Sequence, residues 1–227
     1  MQRATTTRTE QTYTALRADI LAGRRRPGDR LPFAELCAAY GASMGVLREA
    51  LSRLTAEGLV ESLPQLGFRV RSVSLEDLRE LTDARSEIET LVLRRAITDG
   101  GLDWESQVLA THHRLERTPQ ADADDPERLS EEWVTAHAAF HTALLAGCAN
   151  QRLRTVAHSL RDAAELYRRW SVPLGTGSRD IAAEHREILR AVLDRDADAA
   201  VTALDAHIRR TTRALDDGTE PAEDREP

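Results

Sequence analysis

The stretch WVTAHAAFHTALL carries His137 and His141 four residues apart, a spacing that sets both imidazoles on one face of a helix. Two rings so placed can reach a single cation, and imidazole nitrogen suits Zn, Ni, Cu or Fe. His185, in AEHREIL, and His207, in LDAHIRR, stand on two further helical stretches. Each of the four has apolar neighbours at helical spacing: Phe140 and Leu144, Ile188 and Leu189, Leu204 and Ile208. Those neighbours direct the rings toward a helical interior, where burial disfavours a charged imidazole; a metal ligand must be neutral in any case. A His-x3-His pair on an Ala-rich helix also serves as a surface or satisfied core pair, and its spacing alone does not separate the readings. His112, His113 and His158 fit no ligand pattern and read as solvated or core groups.

Arginine is the second residue type with chemistry to offer. All 31 cationic side chains of the 227-residue chain are Arg, with no Lys. Residues 1–72 hold 11 Arg against 7 acids, a net of +4, while the remaining 20 Arg meet 31 acids, a net of -11. A basic first third ahead of an acidic remainder suggests a polyanion-binding module joined to something else.

The elements that must position these groups follow from periodicity and punctuation. Tyr13, Leu16, Ile20 and Leu21 recur at helical spacing over Thr9 to Gly23. A short helix over Phe33 to Tyr40 stops at Gly41, and Ser43 is suited to cap a helix from Met44 to Glu57. LVESL and GFRVRSV alternate like two short strands joined at Pro64-Gln65-Leu66-Gly67. Two short helices and then a hairpin is the order of a winged helix-turn-helix. In such a module the second helix carries its N-terminal polar residues into the DNA major groove while its apolar back packs on the first. Ser43, Arg48, Ser52 and Arg53 are the polar candidates there, and Arg48 can make the bidentate contact to guanine O6 and N7. Arg30, behind Arg24, Arg25 and Arg26 in the preceding loop, and Arg69 and Arg71 on the hairpin, with Gly67 at its turn, are placed for the backbone of the duplex. The bland reading of these arginines is ordinary solvated charge.

From Leu75 onward strand signals vanish. Six helices are expected, at about Leu75 to Asp99, Leu102 to Arg117, Leu129 to Ala146, Asn150 to Trp170, Ser178 to Leu193 and Asp196 to Leu215. The expected fold is therefore mainly α: a winged helix-turn-helix domain over 1–72, an all-α six-helix bundle over 73–215 and a disordered acidic tail over 216–227. Composition fits a globular chain, 41% hydrophobic and 30% charged. No apolar run nears the roughly 20 residues of a membrane span, and the polar start is no secretory signal, so a cytoplasmic protein is expected. Cys37 and Cys148 are too few and too far apart for a disulfide scaffold or a Cys-based zinc site.

Leu31-Pro32, the spacing to Gly41-Ala42-Ser43, and the run VLREALSRLTAEGLVESLPQLGFRV resemble the GntR family of bacterial winged-helix transcription regulators. The helical remainder looks like the FCD effector domain of its FadR branch, in the shorter, VanR-like form. The resemblance covers roughly Thr9 to Leu215 and departs from the family at Ser43-Met44, where Arg, Lys or Thr commonly follows Ser; a thioether cannot make the charged contact. It implies a homodimer that binds double-stranded palindromic operator DNA, more often as a repressor, and answers to a small organic acid effector. Many FCD domains hold a metal through one Asp and three His. Here His141, His185 and His207 match the three His, and His137 takes the Asp position. That all-imidazole set is softer and one charge poorer than usual, which favours Zn or Ni over Mn or Mg and leaves a net +2 for an anion. The family's effector-binding Arg corresponds to Arg85 in ARSEIE, whose guanidinium offers a fork for a carboxylate. The plain alternative for Arg85 is a surface i,i+4 salt bridge with Glu89, worth a few tenths of a kcal/mol. Arg161, Arg168 and Arg169 are further pocket or surface charges.

Two other functions compete. A helical-bundle metalloenzyme could use four histidines, but neither His-Glu-x-x-His nor Glu-x-x-His appears, and the winged helix would have no role. A regulator whose signal is the metal itself needs no acid effector.

Overall fold

The computed structural model describes residues 7–72, 74–124, 129–171 and 179–219. The chain divides into two compact units, Met1–Asp77 with Asp162–Trp170, and Leu78–Arg161 with Ser171–Pro227.

In the first unit, α1 (Arg8–Leu21) is capped by Thr7, whose hydroxyl accepts from the Glu10 amide, and it buries Leu16 and Ile20. Short α2 (Phe33–Tyr40) follows Pro32 and stops where Gly41 turns left-handed at φ 57°, a conformation glycine adopts without a Cβ penalty. Ser43 accepts from the Val46 amide and so starts α3 (Met44–Ala56), which buries Leu47, Ala50, Leu51 and Leu54. Strands β1 (Val60–Leu63) and β2 (Gly67–Val70) pair antiparallel, with Val60 opposite Val70 and Leu63 opposite Gly67. An isolated bridge joins Arg30 to Arg69, so the loop before α2 lies along the hairpin. The wing and the helices share one core, with Leu36, Leu51, Leu59 and Val70 all fully buried.

Among the described residues six helices follow the hairpin, α4 (Leu75–Asp99), α5 (Leu102–Arg117), α6 (Glu131–Ala146), α7 (Gln151–Ser171), α8 (Ile181–Leu193) and α9 (Ala197–Thr219), and they make up the second unit apart from the first three residues of α4 and residues 162–170 of α7. Side-chain caps set the starts of five of them, with Ser74 accepting from the Asp77 amide and Asn150 from the Leu153 amide. Ser130 accepts from Trp133, Asp180 from Ala183 and Asp196 from Ala199. Trp104 anchors α5 on α6, its indole N–H donating to the Ala143 carbonyl at 2.8 Å. Gly147 lies against that ring so tightly that a Cβ there would sit 2.8 Å from it, and Gly100 leaves still less room. Phe140, Leu93, Val108, Leu144 and Ile188 form the centre of this core.

Several boundaries differ from expectation. Leu129 lies outside α6, in a bridge to Ala121, and Ser130 is the cap. Helix α9 continues past Leu215 to Thr219, so the first residues of the expected tail are helical, and α8 begins at Ile181 behind an Asp180 cap rather than at Ser178; Ser178 and 220–227 lie outside the described residues. Among the described residues no helix is long and apolar enough to cross a membrane.

Candidate metal centre

Three helices of the second unit bring the four histidines together. Helix α6 presents His137 and His141 one turn apart, α8 presents His185 and α9 presents His207. One nitrogen from each lies within 4.8 Å of all the others. His141, His185 and His207 are buried, and His137 is half-buried. Its ring stacks on Trp133, with centroids 4.8 Å apart and planes inclined by 19°.

The chemistry of this cluster is that of neutral lone pairs. Burial pushes the His141 imidazolium well below its ordinary range, helped by His137 and by the Arg161 charge. His185 is lowered to about 2, again by burial first and then by His207. His207 is lowered by burial against the opposing pull of Glu184. Nε2 of His141 and Nε2 of His185 are both buried without a hydrogen-bond partner. A buried polar atom left unsatisfied costs about 1–3 kcal/mol, and one cation accepting from both nitrogens would remove that cost. The four residues therefore fit a metal ion in donor type and spacing.

One carboxylate touches the rings, and a second pairs with arginines whose charges act on them. Glu184 lies 2.8 Å from Nδ1 of His207 and receives Arg179 on both oxygens, Nε at 2.8 Å and Nη2 at 2.6 Å. Burial raises its pKa, but the Arg179 and His207 hydrogen bonds prevail and hold it at about 2. Glu89, on α4, is fully buried; Arg85 Nε meets Oε1 at 2.7 Å and Arg161 Nε stands 3.8 Å from Oε2. The i,i+4 salt bridge between Arg85 and Glu89 therefore forms, but with its carboxylate shielded from solvent rather than on the surface. Arg85 acts electrostatically on His207 and Arg161 on His141, so both guanidinium charges are felt at the cluster. Among the described residues Arg85 donates to Glu89 through Nε, and its Nη groups are further donors that another acceptor can take. The Arg168 and Arg169 side chains lie outside the described residues.

In the first unit, Ser43, Met44 and Arg48 are exposed at the start of α3. The Arg48 guanidinium rests 5.2 Å from the centroid of Phe33. Ser52 is exposed and donates to the Arg48 carbonyl. Arg53 turns back to α1, paired with Glu10 at 2.7 Å and lying 3.8 Å over the Tyr13 ring. Arg69 pairs with Glu61 across the hairpin at 3.0 Å, Gly67 takes φ 87° at its turn, and Arg30 is exposed.

Sequence reasoning missed Glu184, Arg179 and the burial of Glu89. The only local signal was adjacency: Glu184 precedes His185, and Arg179 stands five residues before Glu184.

The comparisons with known proteins agree with this architecture. Residues 8–70 match the family of bacterial regulatory proteins, gntR family, and residues 80–210 match the FCD domain. The HTH-type transcriptional repressor GlaR of Escherichia coli (strain K12) is 37% identical over 200 residues, covering 86% of this chain and 90% of that protein. The uncharacterized HTH-type transcriptional regulator BphR of Paraburkholderia xenovorans (strain LB400) is 35% identical over 199 residues, covering 88% of this chain and 81% of the relative. Among solved structures, E. coli McbR/YncC matches in fold with a TM-score of 0.75 at 19% identity, over 95% of this chain and all of that one. A helix-turn-helix with its wing, a helical domain behind it and regulators as relatives lead to one assignment: the chain belongs to the GntR family, as a DNA-binding transcriptional regulator with a C-terminal FCD domain rather than an enzyme.

Proposed function

We propose that this regulator is a cytoplasmic, homodimeric repressor that responds to a small carboxylate through a divalent metal ion held by His137, His141, His185 and His207. Residues 1–72 form the DNA-binding domain and 73–215 the effector-binding and dimerisation domain. The observation that carries the reading is the gathering of four imidazoles within 4.8 Å, two of them with buried, unpartnered Nε2 atoms. Nitrogen-only donors favour Zn or Ni. With no carboxylate among the four, the ion keeps its full charge toward an anion, and Arg85 supplies a second positive group.

On the DNA side, two winged helices on one dimer read the half-sites of a palindrome. Arg48 is the base-reading residue and Ser43 and Ser52 support it. Arg30, Arg53, Arg69 and the Gly67 turn approach the phosphates, with Arg53 and Arg69 exchanging their acidic partners for phosphate oxygens. An effector shifts DNA binding only through different affinities for the DNA-competent and DNA-incompetent forms.

The test uses a DNA fragment selected from a random library by the full-length protein. Operator affinity is measured for zinc-loaded and chelated protein, each against a panel of small carboxylates. Carboxylate-induced release that needs zinc supports the proposal. Release that persists after chelation, or release caused by zinc alone, overturns the role of the metal as the carboxylate's platform.

A further inference from the structure

Behind His207 stands a carboxylate that binding a metal and an anion does not by itself require. Oε2 of Glu184 lies 2.8 Å from Nδ1 of His207, and both residues are buried. An ionised carboxylate has only lone pairs to offer, so the bond requires a proton on Nδ1. In a neutral imidazole that leaves the lone pair on Nε2, the opposite side of the ring. The Nη2 of Arg179 also approaches Nδ1, at 3.5 Å, but it is a donor and the carboxylate is nearer by far. Arg179 in turn fixes Glu184 by two hydrogen bonds, and its Nη2 donates to the His207 carbonyl at 3.2 Å and to the Thr211 hydroxyl at 3.1 Å. One guanidinium thus binds the start of α8 to the turn of α9 that carries His207.

We propose that Glu184, backed by Arg179, is a positioning residue of the metal centre: it holds His207 as the Nδ1–H tautomer, aims Nε2 at the cation and strengthens that nitrogen as a donor. The inference rests on the reading that the four imidazoles hold a metal. Outer partners of this kind orient the ligand ring, and their loss typically weakens metal binding about 10- to 100-fold. A simple structural tie between α8 and α9 would alter folding stability. It would leave the tautomer and the metal affinity of the folded protein unchanged.

The experiment uses full-length protein with 15N-labelled histidine. Two-bond proton–nitrogen spectra of the metal-free form read the tautomer of His207. Zinc affinity is measured by competition with a chromophoric chelator for wild type, Glu184→Ala, Glu184→Gln and His207→Ala. Wild type is expected to show the Nδ1–H tautomer. Glu184→Ala should lose that preference and bind zinc about 10- to 100-fold more weakly. Glu184→Gln, which keeps an acceptor without the charge, should retain the tautomer and lose less affinity. Should Glu184→Ala not fold, Arg179→Ala releases the carboxylate and is expected to weaken zinc binding in the same direction. Wild-type zinc affinity in a folded Glu184→Ala protein, or an Nε2–H tautomer in wild type, overturns the role of Glu184 alone. A wild type that takes up no zinc removes the metal reading as well.

Discussion

Arg85 and Glu89 form an ion pair of 2.7 Å in which the carboxylate is wholly shielded from solvent. The pair therefore differs in kind from the exposed i,i+4 bridges that helices carry on their surfaces. Removing the carboxylate leaves the largely desolvated Arg85 guanidinium uncompensated. Glu89→Ala is expected to destabilise the protein by about 3–5 kcal/mol, because Arg85 and Arg161 both lose their shared counter-charge. Urea unfolding measures this, and a loss below about 1 kcal/mol, the worth of an exposed pair, would contradict it.

Metal binding should appear as stability before it appears as regulation. A ligand that binds only the folded state, present at 100 times its Kd, adds about 2.7 kcal/mol. Zinc is thus expected to raise the unfolding temperature of wild type and to leave His141→Ala and His185→Ala nearly unmoved. Equal shifts in all three proteins would place the ion elsewhere.

The donor set can also be altered on purpose. His137→Asp puts a hard carboxylate oxygen beside three imidazoles, which moves preference from Zn toward Mn. Competition titrations of both metals should give a higher Mn-to-Zn affinity ratio in the variant than in wild type. An unchanged ratio would mean that His137 does not reach the ion.

The two arginines of α3 are expected to separate. Arg48 is exposed at the start of α3, whereas Arg53 is engaged with Glu10 and Tyr13. Arg48→Ala should cost about 1–3 kcal/mol of operator affinity and relax specificity at one base position. Arg53→Ala should lower operator affinity evenly across sequences and reduce the salt slope by about one. Fluorescence anisotropy at several salt concentrations with matched and mismatched DNA distinguishes the two patterns.

Two tyrosines of the first unit set an alkaline limit. Burial and a hydrogen bond to Glu57 push Tyr13 up to about 12, and burial with Asp19 does the same for Tyr40. Above about pH 10 the unfolded phenols ionise while the folded ones keep their protons. The stability they contribute is whole below that pH and is lost as pH rises toward about 12. Urea midpoints compared between pH 9 and 11 should fall less steeply for Tyr13→Phe than for wild type, and parallel slopes would refute the assignment.

Local signals gave α2 and α3 almost to the residue, because Gly41 and Ser43 punctuate them through backbone geometry and a cap that depend on nearest neighbours alone. Helix α6 began later than its apolar pattern suggested, since Leu129 pairs with Ala121, a partner that periodicity does not contain. The convergence of the histidines was half legible. Spacing placed His137 with His141, and apolar flanks turned His185 and His207 inward, but the meeting of three helices is a tertiary fact. Glu89 was opaque for the same reason: an Arg–Glu pair four apart reads alike whether the helix face meets water or protein. Glu184 finds His207 across 23 residues, beyond the reach of any helical period.

The stacking of Trp133 on His137 has an optical consequence. An indole lying face to face with a candidate ligand ring shares its electronic surroundings, and its emission becomes a gauge built into the protein. A paramagnetic ion such as Cu or Ni at the cluster would darken that fluorophore by short-range quenching, whereas closed-shell Zn would leave it bright. Loading could then be followed in real time, without a dye or a label, by light the protein emits itself.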